Sequence, residues 1–334
     1  MSSKRILFLV IASLLTCSAA FAQGVWTTNA LVPAGFGREG ACIAGSSAAF
    51  KGVEKFRIYI IDGFGPLGDS NTNYFYDPET NSYTTGLAPI PGPPRSEGAG
   101  VERSGFVFCV GGRAAGTLNL NQRYNPTTNS WATLAAMPLA VAAEYSAVVV
   151  GAEIHVIGGR IGSATVPFSA PKTSVHQVFH VGKQTWSFRA SLPAPARSEM
   201  CAVAHGNKIY VIGGNVVPFG VAVSTLNIYD VDADSWSLGG SLPAPRANAA
   251  CAVLGNSIYV NGGKAAFALP LSAATFRYDI DTDSWSTDTA KPTATGETVG
   301  IPHGGQMIVI GGGFFGLGGG PLGRINESFR PTPP

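Results

Sequence analysis

The chain is expected to be all-β: a six-bladed β-propeller of four-stranded antiparallel blades, closed by an N-terminal strand that joins the C-terminal blade. Three observations predict it. Five times an aromatic residue with a polar neighbour is followed, seven positions on, by a large ring: Tyr76-Asp77 and Tyr83, Tyr124-Asn125 and Trp131, Phe179-His180 and Trp186, Tyr229-Asp230 and Trp236, Tyr278-Asp279 and Trp285. Each unit follows an apolar run ending in a glycine pair: Gly111-Gly112, Gly158-Gly159, Gly213-Gly214 and Gly262-Gly263, with Asp62-Gly63 as a worn first copy and Gly311-Gly312 as a sixth. The second glycines stand 49, 47, 55, 49 and 49 residues apart, the period of stacked repeats.

One copy shows how a blade is built. Residues 200–204 read as a strand, His205-Gly206-Asn207 as a tight turn, and residues 208–212 as a second strand closed by the glycine pair. A loop, a third strand over 226–229, a turn over 230–234 and a fourth strand opening at Trp236 complete four strands. Second strands such as Ile209-Tyr210-Val211-Ile212 are apolar on both faces, so each needs a neighbour on either side. Segments such as Asp77-Pro78-Glu79-Thr80-Asn81 read as turns that bond or preset their own backbone.

The ends follow from counting strands. The sixth copy lacks a fourth strand with a tryptophan, whereas Val25-Trp26-Thr27 precedes any first strand. Trp26 is therefore expected to supply the missing ring of blade six.

Residues 1–22 read as a signal peptide and 23–334 as one propeller. Lys4 and Arg5, an apolar stretch over 6–15, and Ala20-Phe21-Ala22 before Gln23 make a leader with a cleavage site, too short in its apolar part to span a bilayer. The expected location is secreted or periplasmic, and no later stretch is apolar for long enough to be a membrane span. Without the leader the charges balance, 20 basic against 20 acidic residues, so nucleic acid is excluded as an expected partner. Cys42, Cys109, Cys201 and Cys251 remain. Because three lie on first strands of different blades and Cys109 on a second strand, they are expected to be buried free thiols, with Cys201–Cys251 the one pair placed for a bridge.

The glycine pair, the Tyr-Asp, the Trp and a Pro-x-Arg before the next strand together resemble the kelch repeat, and the pattern covers nearly the whole chain after the leader. The resemblance implies a propeller that binds a carbohydrate or a protein or peptide. Kelch propellers also include a sialic-acid mutarotase branch, whose setting is similar and whose chemistry needs only acid–base groups. A carbohydrate-active isomerase is therefore the alternative reading, and a structural envelope protein a third. The Tyr and His copper constellation of the sugar-oxidase branch finds no match here. Neither does the Glu-x3-Asp-x3-His iron motif of the glucosinolate-processing branch.

In blades of this order, the start of strand one and the loop between strands two and three share one mouth of the channel. The lead-in segments bring Arg38, Arg95, Arg197 and Arg246, and two positions beyond the arginine site stand Glu97, Glu144, Glu199 and Glu297, with Asn248 in the fifth copy. The position after the glycine pair brings Arg113, Arg160 and Lys264. These are the candidate ligand-binding residues, suited to carboxylates through paired guanidinium contacts. The competing reading is that they pair with one another and tie blades together.

The loops after the glycine pairs are unusually apolar, with Phe64, Leu67, Val166, Phe168, Val217, Phe219, Phe267, Leu269, Phe314, Phe315 and Leu317. They suit a partner surface, a sugar-stacking platform or loops folded over the channel. No catalytic residue, cofactor or metal is assigned. His155 reads as core, His205 and His303 as turn residues on the far face, and His176 and His180 as two positions on one third strand. The runs Asp230-x-Asp232-x-Asp234 and Asp279-x-Asp281-x-Asp283 lack the glycine and glutamate of a calcium loop and read as turns.

Overall fold

The computed structural model describes residues 23–36, 40–65, 67–142, 146–162, 170–216, 220–266, 269–313 and 323–332. The leader over 1–22 lies outside them. The described chain is all strand and turn: six four-stranded antiparallel sheets, with two short hairpins on the mouth loops. Among the described residues no helix is long and apolar enough to cross a membrane.

Blade four runs Cys201–His205, Lys208–Ile212, Leu226–Asp230 and Ser235–Leu238, within one residue of the expected bounds. Its second strand is buried from Ile209 to Ile212 because blades three and five cover its two faces. Blade six is assembled from both chain ends, with Val25–Thr28 pairing antiparallel with Asn326–Arg330. Trp26 stands opposite Phe329, centroids 5.1 Å apart at 42°. The same couple recurs in Tyr124–Trp131 at 5.1 Å and 43°, and in Tyr229–Trp236 at 4.9 Å and 44°. One hydrophobic cluster joins Ile43, Ile58 and Ile60 of blade one to Ile301, Ile308 and Ile310 of blade six, so the sheets close into a circle.

The glycine pair is the hinge of each seam. The second glycine donates its N–H to the lead-in carbonyl of the next blade: Gly63 to Arg95, Gly112 to Val141, Gly159 to Arg197, Gly214 to Arg246 and Gly263 to Thr295, at 2.7–3.1 Å. A Cβ on Gly158 would lie 2.8 Å from the Arg197 carbonyl of the next blade, and one on Gly159 2.7 Å from Ala142 of its own. Both glycines also hold positive φ, 64° and 104°, so neither position accepts a side chain.

The cysteines correct the expectation of free thiols, while one of the two bridges is the Cys201–Cys251 pair that the sequence placed for bonding. Cys42 is bonded to Cys109 and Cys201 to Cys251, with Cα separations of 5.8 and 6.0 Å. Wedge-shaped sheets converge on the axis, so the inner strands of neighbouring blades approach to bridging distance although their outer strands splay apart. All four cysteines still sit in the core clusters as small apolar groups. The bridges span the seams between blades one and two and between four and five.

Candidate functional site

The inner strands of all six blades line an axial cavity of about 350 Å³. Its wall is chiefly small and apolar, including Ala41, Ala99, Ala147, Ala202 and Ala249. The charged groups gather above it, at the mouth.

The mouth is built on a ring of left-handed residues. Gly40, Glu97, Glu199, Asn248 and Glu297 occupy one position in the lead-in segments of blades one, two, four, five and six, with φ of 56°, 61°, 57°, 58° and 58°. Glu97 N–H donates to Gly40 O at 2.6 Å, Asn248 N–H to Glu199 O at 2.9 Å, and Glu297 N–H to Asn248 O at 2.9 Å. Non-glycine residues in this conformation cost about 1–2 kcal/mol each, and the inter-blade hydrogen bonds hold them there. Arg38 and Glu144 lie outside the described residues.

Three of the arginines are ties within the wall. Arg95 is 1% exposed; it donates from Nε to Asp62 Oδ2 at 3.3 Å and from Nη2 to Gln122. Arg197, also 1% exposed, donates to Asn227 and to the Gly213 carbonyl. Arg246 donates to Ser272 Oγ at 3.1 Å and stacks over Phe276. Gln122, Asn227 and Phe276 share the second position of the third strand, so each arginine reaches across its own blade to one seat. Blade six fills this seat differently: Lys291, four residues before the arginine site, lies 3.4 Å from Glu327 and bonds Thr295. Blade three has no cation there, and Gln177 turns to the backbone of Leu139 instead.

Burial sets the electrostatics of these ties. It lowers Arg197 to about 10 and Lys291 to about 8, leaving both charged at neutral pH. It also pushes the Asp62 carboxyl up to about 7, with Arg95 pulling the other way.

The remaining candidates face one another. Glu97 accepts Arg113 Nε at 2.8 Å and, on its other oxygen, Nη2 of Arg160 from the next blade. Asp69, on the blade-one hairpin, lies near Arg113; burial raises its carboxyl, while Ser96 and Arg113 oppose the rise. Across the mouth, Glu199 accepts the Asn215 amide, and Lys264 stands 4.0 Å from Glu297. Lys172 donates to Ser198 Oγ at 3.0 Å. Asn215 was within reach of the sequence, since it shares the position after the glycine pair with Arg113, Arg160 and Lys264. Lys172 was not, because it falls in the longest spacer, where no repeat register places it.

Of the apolar loop residues, Leu67 and Leu269 are 99% and 52% exposed and Phe64 is half-buried. Val166, Phe168, Val217, Phe219, Phe267, Phe314, Phe315 and Leu317 lie outside the described residues. No cluster of three or more His, Cys, Asp or Glu suited to a metal occurs among the described residues.

Comparison with known proteins adds a repeat motif and a fold. Residues 196–243 and 245–288, blades four and five, match the family described as Kelch motif. No curated protein sequence matches the chain significantly. The solved structure of YjhT is similar at 18% identity, with a TM-score of 0.71 over 87% of this chain and 94% of that one. In all, 628 solved chains match, so shared architecture selects no ligand.

Proposed function

We propose that this six-bladed β-propeller, which carries kelch motifs in blades four and five, is an exported, non-enzymatic binding module that takes a carbohydrate or an acidic peptide at the mouth of its channel. One observation carries the reading: Arg113 and Arg160, from neighbouring blades, converge on a single carboxylate, that of Glu97. Two guanidinium groups aimed at one point form a carboxylate fork, and a ligand carboxylate competes for it with Glu97. Glu199, Asn215, Asn248, Lys264 and Glu297 across the mouth offer the donors and acceptors that sugar hydroxyls need. Arg95, Arg197 and Arg246 shape this rim from behind. Export rests on the leader-like residues 1–22 and is supported by two disulfides, which persist in oxidising compartments.

A glycan and acidic-peptide array is the direct test. Binding of the best anionic ligand falls at least about tenfold in Arg113→Ala and in Arg160→Ala, the loss expected for one charge-assisted contact, in variants that still show a cooperative thermal transition. Unaltered affinity in both variants moves the site elsewhere. The second reading, a carbohydrate isomerase, is favoured by Glu297 standing 4.0 Å from Lys264, a carboxylate beside a cation at the rim. A proton NMR time course separates the two, since an isomerase changes the anomer ratio and a binder leaves it alone.

A further inference from the structure

Blade three differs from its siblings at one interface. Its second strand carries His155 where blades one, four and five carry Tyr59, Tyr210 and Tyr259. Its third strand carries His176 where blades one, two and six carry Asn73, Asn121 and Asn326. Both imidazoles are fully buried, with His155 Nδ1 2.9 Å from His176 Nε2. Tyr229 and Trp236 of blade four lie against His176, ring centroids 4.7 and 6.1 Å away. Ile157, Leu192, Met200 and Ile209 form the apolar packing of the same seam.

The N···N contact works only while one nitrogen donates and the other accepts. Protonating both rings sets two N–H donors against each other and brings charge into an apolar seam. We propose that the His155–His176 pair is an acid-sensitive latch, holding blades three and four together while neutral and releasing the seam when protonated.

Charged groups face the pair from both blades. From blade three, Glu153 lies 3.6 Å from His155 Nε2 and is itself held by His180 at 2.8 Å and Arg189 at 3.5 Å. Glu153 favours the protonated ring, whereas Arg189 and His180 disfavour it. From blade four, Asp234 favours a charged His176, and the Tyr229 ring lies against it. Burial outweighs them all, lowering His155 to about 3 and His176 to about 4. The unfolded chain protonates near pH 6.5. The latch therefore contributes fully above that pH, and its contribution is lost as pH falls from about 6.5 towards 4.

Two features make this seam a place for release. The disulfides bridge the seams between blades one and two and between four and five, and neither crosses from three to four. His176 stands opposite Ile157, and two residues on, Gly159 N–H bonds Arg197 O across the same seam at 3.0 Å. Beyond it Arg160 reaches Glu97, so loosening the seam disturbs the mouth.

Denaturation of the wild type and of the His155→Tyr/His176→Asn double variant, followed from pH 8 to pH 5, tests the proposal. Two histidines that stay neutral in the fold weaken the wild-type folding equilibrium about 30-fold each at pH 5, roughly 1000-fold together. The variant, which carries the residues of sibling blades, escapes that loss. Parallel pH profiles in the two proteins overturn the latch. If the variant does not fold, NMR titration of the wild type decides. Two of the five histidines staying neutral to below pH 5, then titrating as Trp236 fluorescence changes, upholds it. All five titrating near pH 6.5 with unchanged fluorescence overturns it.

Discussion

Five residues after each third-strand aromatic stands a side chain whose work the repeat pattern hides. Asn81, Asn129, Gln184, Asp234 and Asp283 all hold φ between 48° and 53°. Asn129, Asp234 and Asp283 accept the hydroxyl of their own Tyr124, Tyr229 and Tyr278 at 2.7, 2.5 and 2.6 Å. The same oxygens accept the backbone N–H of Ala88, Ala190 and Gly240 in the linker of the preceding blade. These bonds hold the Asp234 and Asp283 carboxyls below the usual carboxylate range, while burial and then the same bonds raise the facing tyrosines. The last aspartate of each Asp-x-Asp-x-Asp run is thus an inter-blade fastener. Replacing Asp283 by Ala removes both bonds and keeps the strained φ, costing about 2 kcal/mol in denaturant unfolding. Asp283→Asn, the residue blades one and two use, costs less than half of that. Equal losses in the two variants would contradict the fastener.

The strand that contains Trp26 shows how an element inherits its place from a gap elsewhere. Blade six has no turn between its third and fourth strands because the two come from opposite ends of the chain. Its fastener is accordingly inverted: Asp288, at the end of the fourth strand of blade five, accepts Gly24 N–H at 2.8 Å, and Trp26 Nε1 donates to Thr289 O at 2.9 Å. Trp131, Trp186, Trp236 and Trp285 donate to Ala88, Ala135, Ala190 and Gly240 in the same way, at 2.8–2.9 Å. Trp26→Ala removes the ring packing on Phe329 and the tie to blade five together. It lowers the thermal transition of the whole molecule, by about 3 kcal/mol in stability. An unchanged melting temperature would show that the terminal strand does not hold the circle shut.

For the whole molecule, closure is shared between the terminal strand, the apolar seams and two covalent bridges. Protein recovered from an oxidising compartment is expected to show no reactive thiol in denaturant, and four after reduction. Reduction also lowers stability, because the bridges join residues 67 and 50 positions apart in the unfolded chain, for which the chain-entropy account gives roughly 4 kcal/mol each. Free thiols appearing without reductant would restore the first expectation for these cysteines. That expectation went astray for a geometric reason. Neighbouring blades are wedges that converge on the axis, which brings Cys42 to Cys109 as well as Cys201 to Cys251.

Blade number, strand order and the role of Trp26 were legible because each rests on a repeated local pattern: the glycine pair, the aromatic couple and the count of strands. Local chemistry repeats along the chain, so comparing its copies exposes any missing part. The mouth was legible only as a set of residue types. Whether an arginine ties a wall or faces a ligand depends on where its long side chain finds a partner, and those partners lie 27 residues away for Arg95 and 63 for Arg160. The disulfides and the buried histidine pair have the same origin. They arise where separate blades meet, and only folding around a common axis sets which distant side chains share that space.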